Sequence, residues 1–211
     1  MAEPDDPYRR CGLAANPFAH GAGGPGGSAD WVSRGLPEPA GPGQCRLLQV
    51  IGVKGAGKTS TLRRWRAAAP GPCRYVPPGT RRLRPLPVAP LVYWDEADRA
   101  VTAIRWWAWR VAARRRATVV AGTHVDLGVE ARAAGLAVNT VPLGPITAAE
   151  MTEWARRRFA AVGAGSEWAL PDDVAIDVAA RAGASWRVAG DLLHSWVATQ
   201  VAGRSPDGFV Q

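Results

Sequence analysis

The chain has 211 residues, of which 47% are hydrophobic and 21% charged, enough for one or two domains with a sizeable core and too apolar for a wholly disordered chain. Its formal net charge of +8 favours anionic partners, whether nucleic acid, nucleotide or acidic protein surface. No apolar run approaches the roughly 20 residues needed to span a bilayer, and the opening MAEPDDPYRR is too acidic and polar for a secretion signal, so the expected compartment is the cytoplasm.

In chain order, the segment CGLAANPFA shows too little apolar periodicity for an independent domain and is expected to dock Leu13 and Phe18 onto the unit that follows. Residues 21 to 30 and 36 to 43 are rich in Gly and Pro and read as loops flanking Trp31 and Val32. From Leu47 to Val53 a near-continuous apolar run predicts a strand buried on both faces of a parallel sheet. Thr59 to Ala69 reads as a helix stopped by Pro70-Gly71-Pro72, and Arg74 to Pro77 as a short strand. Residues 78 to 90 form a Pro- and Arg-rich connection without helical signal, and Leu91 to Trp94 is a second apolar strand. A long helix is expected from about Ala97 to Arg116, with Val101, Ile104, Ala108, Val111 and Ala112 on its buried stripe. A strand over 118 to 121, a short helix over 127 to 134 and a strand over 137 to 141 complete an alternating pattern.

After Pro145 the strand signals stop. Thr147 and Glu150 have capping-box spacing and open a helix carrying Met151, Trp154, Ala155 and Phe159. Pro171 suits a first helical position of a second helix reaching about Ala182, and a third runs from Ser185 to about Val201. The expected division is therefore 1 to 44, an N-terminal extension with Gly/Pro-rich loops; 45 to 145, an α/β core; and 146 to 211, a helical subdomain.

Within the core, Gly52-Val53-Lys54-Gly55-Ala56-Gly57-Lys58-Thr59 matches G-x-x-x-x-G-K-[ST] at every fixed position, between a buried strand and a helix as that motif requires. Glycines at 52, 55 and 57 let successive backbone N–H groups turn inward as a nest for phosphate oxygens, and the helix N-terminus adds partial positive charge. Residues 52 to 59, with Ser60, form the expected ATP-binding loop; Lys58 would reach the β- and γ-phosphates and Thr59 would offer its hydroxyl to Mg²⁺. Some 40 residues on, the strand Leu91-Val92-Tyr93-Trp94 ends in Asp95-Glu96, the pattern of a Walker B motif. There Asp95 would hold Mg²⁺ and Glu96 would polarise the attacking water. At the end of the next strand, Thr123 is the candidate for contact with the γ-phosphate or the lytic water, with His124 the alternative. These motifs predict a three-layer P-loop NTPase core with a mainly parallel sheet, followed by a helical lid.

The Walker motifs, the polar strand end and the helical lid resemble the AAA+ ATPases. More narrowly, CGLAANPF resembles the "GL…NPF" opening of the bacterial secretion-ATPase-A and transposition-helper group, and PLGPITAAEMTEWARRRFAAVG its approach to the lid. Gly183-Ala184-Ser185-Trp186-Arg187 resembles the group's sensor-2 turn, which implies that Arg187 lies near the γ-phosphate. Trp186 stands where the group usually has proline, and the segment between the Walker motifs lacks a helix, leaving room for a reduced sheet. The resemblance implies an ATPase that couples nucleotide to a DNA or protein partner and assembles with copies of itself. Arg132 and Arg156 to Arg158 are its candidate arginine fingers. The rival readings are a nucleotide-gated DNA or protein adaptor with little turnover, and a P-loop kinase of a small molecule.

Other features leave alternatives open. Arg81, Arg82 and Arg84 suit either a phosphate-backbone contact or a solvated loop. Trp106, Trp107 and Trp109 suit either base stacking or core packing, with Trp107 near the apolar stripe. His20 and His194 have no partner pattern, and Cys11, Cys45 and Cys73 support neither a disulfide framework nor a zinc site.

Overall fold

The computed structural model describes residues 6 to 19, 31 to 39, 41 to 165 and 167 to 204. The loop expected over residues 21 to 30, and His20, lie outside the described residues. The chain forms two compact units, one made of the residues up to Arg34 together with those from Pro145 onward, the other of Gly35–Gly144.

The second unit is a three-layer α/β fold. Strands β1 (Arg46–Ile51), β2 (Cys73–Tyr75), β3 (Leu91–Asp95), β4 (Thr118–Thr123) and β5 (Ala137–Pro142) form one parallel sheet in the order β2-β3-β4-β1-β5. The sheet is not reduced: β2 pairs with β3 although only a 3-10 turn, Thr80–Leu83, stands between them. Alternate residues of the central strands feed two cores. Leu48, Val50, Tyr93 and Val120 pack with Leu62 and Trp65 of helix α2 (Lys58–Ala68). On the other face, Leu47, Val92, Trp94, Val119 and Ala121 pack with Ala108, Trp109 and Ala112 of α3 (Thr102–Arg114) and Ala131 of α4 (Gly128–Ala133). The two apolar faces explain why β1, β3 and β4 read as continuous hydrophobic runs.

On the same side of β1 as Leu47, Gln49 is wholly buried. Its Nε2 donates to Asp126 Oδ1 at 2.5 Å and Thr140 Oγ1 at 2.8 Å, while its Oε1 accepts the Leu127 amide at 2.9 Å. Every polar atom of the amide is therefore used, as burial demands.

The helix expected from Ala97 is broken. A 3-10 turn covers Ala97–Arg99, Ala100 and Val101 are extended, and α3 begins only at Thr102. Its buried residues are Arg105, Ala108, Trp109 and Ala112, so Ala108 and Ala112 of the expected stripe face the core while Val101, Ile104 and Val111 are only half-buried. Arg105 can be buried because Nε and Nη2 each donate to Glu130 at 2.6 Å, and Nη1 donates to the Asp98 and Ala100 carbonyls. Trp109 packs 4.7 Å from Trp94 between ring centroids, whereas Trp106 and Trp107 are half exposed. The core reading is thus correct for Trp109 and corrected for the other two.

The first unit is helical: a short α1 (Pro7–Arg10), then α5 (Ala148–Ala161), α6 (Asp172–Ala182) and α7 (Trp186–Arg204). The capping box forms in full, with the Glu150 amide donating to Thr147 Oγ1 and the Thr147 amide to Glu150 Oε2. Leu13 and Phe18 are buried in this unit, beside Met151, Trp154, Phe159 and Leu193, rather than on the sheet that follows them. Phe18 meets Trp154 and Phe159 edge-on at 5.2 and 5.7 Å, geometry that aromatic quadrupoles favour. Buried Asn16 fixes the intervening turn, donating to the His194 carbonyl at 3.0 Å and Tyr8 Oη at 3.2 Å and accepting the Phe18 amide. None of the described helices is long and apolar enough to cross a membrane.

Candidate functional site

The candidate site is built on the C-terminal ends of three adjacent strands, β3, β4 and β1. Beyond β1 the chain turns through Gly52 to Gly57 into α2. A Cβ on Gly52 would lie 2.9 Å from the Ala56 Cβ and 3.1 Å from that of Leu143, so no larger residue fits without displacing the loop. Gly55 and Gly57 hold φ of 88° and 98°, the left-handed conformation that costs glycine least. Gly57 caps α2 without a side chain, so no capping hydroxyl or carboxylate competes for the first-turn amides. Such a helix start can receive an oxyanion. Ala56 is buried; Val53, Lys54 and Ser60 are exposed around the loop.

Lys58 is 4% exposed and folds back over this loop. Its Nζ donates to the Gly52 carbonyl at 2.9 Å and the Val53 carbonyl at 3.2 Å. It also lies 3.3 Å from both ring nitrogens of His124. A cation equidistant from the two cannot lie along the in-plane lone pair of either, so this contact is loose. Burial lowers the Lys58 pKa, and the Glu96, Asp95 and Asp98 carboxylates counter that in part.

Asp95 ends β3 with 4% exposure, and Thr59 Oγ1 donates to its Oδ2 at 2.8 Å. Burial raises its carboxyl pKa, with a further push from Glu96, while the Thr59 hydroxyl and Lys58 pull the other way. The other oxygen, Oδ1, is buried and accepts no hydrogen bond. Room for it depends on β4: a Cβ on Gly122 would stand 3.0 Å from Oδ1. A buried, unpaired carboxylate oxygen beside a hydroxyl is a hard-oxygen donor set suited to Mg²⁺, which takes few protein ligands and keeps its other positions for phosphate and water. The residues present therefore fit that ion.

Glu96 follows with φ 58° and ψ 42°, a left-handed conformation unusual outside glycine. Its Oε2 lies 2.9 Å from His124 Nε2 and 3.3 Å from Arg99 Nη2. Arg99 in turn donates to Tyr75 Oη at 2.9 Å. Asp98 accepts the His124 amide at 3.3 Å and so tethers the turn after β4 to the turn after β3.

Thr123 and His124 are placed differently. The Thr123 hydroxyl donates to the Val125 carbonyl at 2.8 Å and accepts the Val125 amide at 3.2 Å, closing the turn after β4 on itself. The side chain that reaches Lys58 and Glu96 is His124. Gly122, Asp98 and Arg99, and the left-handed backbone of Glu96, carried no site signal in the sequence. Their roles depend on which strands are neighbours.

The other expected arginines fall on helices α4, α5 and α7 and at the 3-10 turn. Arg187 is the second residue of α7, exposed, in the helical unit. Arg132 is exposed on α4. Arg156 and Arg157 pair with Glu153, Arg157 also donates to the Trp31 carbonyl, and Arg158 stacks 5.6 Å from the Trp154 centroid. Arg81, Arg82 and Arg84 are exposed at the 3-10 turn. No group of three or more His, Cys, Asp or Glu side chains is arranged to hold a metal among the described residues.

No protein-family model and no curated protein matches this chain. Among solved structures it is similar to RuvB of Thermotoga maritima. A single-substitution variant gives a TM-score of 0.49 at 18% identity over 70% of this chain and 52% of that one. A second structure, described as the RuvB Holliday junction branch migration motor, gives 0.49 at 16% with the same coverage. Another variant gives 0.49 at 14%, over 79% of this chain and 65% of that one. The chain spans about half the length of the first two.

Proposed function

We propose that the protein is a Mg²⁺-dependent, AAA+-like ATPase of the cytoplasm that couples ATP binding and slow hydrolysis to a DNA or protein partner. One observation carries the reading: a phosphate-accepting glycine loop, a buried lysine, a Thr–Asp pair with an orphaned carboxylate oxygen and a strained glutamate meet at the ends of three neighbouring parallel strands.

The loop amides and the head of α2 receive the phosphates, and Lys58 exchanges its two loop carbonyls for the β- and γ-oxygens. That exchange is favourable because a buried ammonium gains more from phosphate charge than from two neutral carbonyls. Thr59 and Asp95 would hold the metal ion, whose contribution when bound would be positive charge against the phosphate oxygens. Glu96 orients the attacking water and accepts its proton, and His124 faces both the glutamate and the lysine. Catalysis is then positioning and electrostatic stabilisation. With Glu96 engaged by His124 and Arg99, basal turnover is slow, which also suits the switch-like adaptor reading. The family resemblance implies a γ-phosphate role for Arg187, and assembly with further copies would place Arg132 or an arginine of Arg156 to Arg158 in trans.

Titration calorimetry with ATP and Mg²⁺ tests the site. Lys58→Ala abolishes tight binding, and Glu96→Gln retains it while slowing phosphate release by about a hundredfold or more. Unchanged affinity in the lysine variant overturns the reading.

A further inference from the structure

On α3 the face opposite the core presents an unusual set of side chains. At 100° per residue, Ala103, Trp106, Trp107, Arg110 and Arg114 fall within an arc of about 100°, and Arg105, Ala108, Trp109 and Ala112 lie on the opposite side. Trp106 is 51% exposed and Trp107 53%, and Arg110 and Arg114 are exposed beside them. An indole contributes more apolar area than most side chains, so leaving two adjacent ones in water forgoes a large hydrophobic gain. The Arg110 guanidinium lies over the Trp106 ring, 4.7 Å from its centroid, and sets a cation against that indole. Thr102–Arg114 contains no Asp or Glu, and among the described residues neither Arg110 nor Arg114 has a carboxylate partner. Arg115 and Arg116 prolong the exposed positive charge past the helix end.

The geometry points to a binding surface on α3 for single-stranded nucleic acid, with bases stacked on Trp106 and Trp107 and phosphates held by Arg110 and Arg114. Every large exposed side chain on the stripe is planar and either aromatic or cationic, which matches a polymer of flat bases on an anionic backbone. From Trp106 to Arg114 the helix rises about 12 Å, room for about three stacked nucleotides. A base needs only ring area, whereas an acidic peptide needs a groove to bury its apolar residues, and a single helix face is convex. In a duplex the base faces are already occupied by their neighbours, so the strand must be unpaired. The inference is independent of the nucleotide reading, since neither tryptophan nor arginine belongs to the phosphate site.

The test is fluorescence anisotropy of a labelled 20-nucleotide oligo-dT, titrated with the full chain without ATP over a salt series. A duplex of equal length and a labelled poly-glutamate peptide are the comparison arms. Oligo-dT binds more tightly than duplex or peptide. Trp106→Ala and Trp107→Ala each weaken it at least fivefold with the salt slope unchanged, and Arg110→Gln with Arg114→Gln reduces that slope by about 1.4. All four residues are exposed, and unchanged circular dichroism certifies each variant's fold. Tighter binding of the peptide, equal binding of the duplex, or full oligo-dT affinity in the double tryptophan variant overturns the proposal.

Discussion

The heads of helices α5 and α2 are finished in opposite ways. At α5, Thr147 and Glu150 exchange hydrogen bonds, and Arg34 Nε donates to the free Glu150 oxygen at 2.8 Å. At α2, a left-handed glycine stands where a capping side chain would be, and the nearby carboxylate of Asp95 leaves one buried oxygen without a partner. The first arrangement satisfies the cap's own amides and hydroxyl within the fold, and the second holds groups open for something from outside. Left-handed non-glycine backbone falls in the α/β unit, at Glu96 by the strand ends and at Cys45 and Arg116 ahead of β1 and β4, while the helical unit stacks its aromatic rings in favourable edge-on pairs. Asp95 and Glu96 combine, at adjacent positions, a buried oxygen without a partner and a left-handed backbone, a pairing expected where a chain meets a ligand.

This contrast can be broken most severely at Trp154, whose ring meets both Phe18 and Trp186. Trp154→Ala is expected to destabilise the helical unit by about 3–5 kcal/mol, read as a lower urea midpoint. Asp95→Asn moves the other way. It removes a buried charge with an unpaired oxygen, so the unliganded protein gains about 1–3 kcal/mol while Mg²⁺-dependent ATP affinity disappears in calorimetry. A loss of stability in that variant would show that the α/β unit needs this carboxylate for its own fold. Thr147→Ala costs about 1 kcal/mol, the usual value of a cap, and leaves ATP affinity alone.

Acid separates Asp95 from Glu150 because the two carboxylates titrate oppositely. Burial pushes Glu150 up, but the Thr147 amide and the Arg34 guanidinium outweigh it and hold the group below its ordinary range. Its contribution is therefore complete above the unfolded-state value and is lost as pH falls through the lower folded one. Asp95 is raised, so its penalty is complete above the folded value and fades as pH falls toward the unfolded one. Unfolding midpoints against pH should show Glu150→Gln converging on wild type in acid from below, and Asp95→Asn converging from above.

The sequence made parts of this legible where local pattern and chemistry coincide. The glycine spacing of residues 52 to 57, the apolar run into Asp95 and the capping box at Thr147 each specify their own conformation, and the structure has the loop, strand and helix at those places. What stayed hidden depends on registry between distant segments. Gly122 matters because β4 sets it opposite Asp95, and His124 matters because that same pairing brings the next turn over Lys58. The face of α3 was misread for a related reason. Ile104 and Val111 looked like core by hydrophobicity, but Glu130, twenty-five positions after Arg105, neutralises the arginine and lets it turn inward. That rotation leaves Trp106 and Trp107 facing solvent.

Gln49 has a consequence for how the sheet finds its alignment. A parallel strand flanked by apolar residues on both faces could slide by two positions and still present valine and leucine to each core. Its amide cannot slide: a shift would part it from Thr140, Asp126 and the Leu127 N–H together and strand its donors and acceptor in a dry interior. One polar side chain thus acts as a locating pin for β1. By fixing where β1 stops, it also fixes where the glycine turn begins.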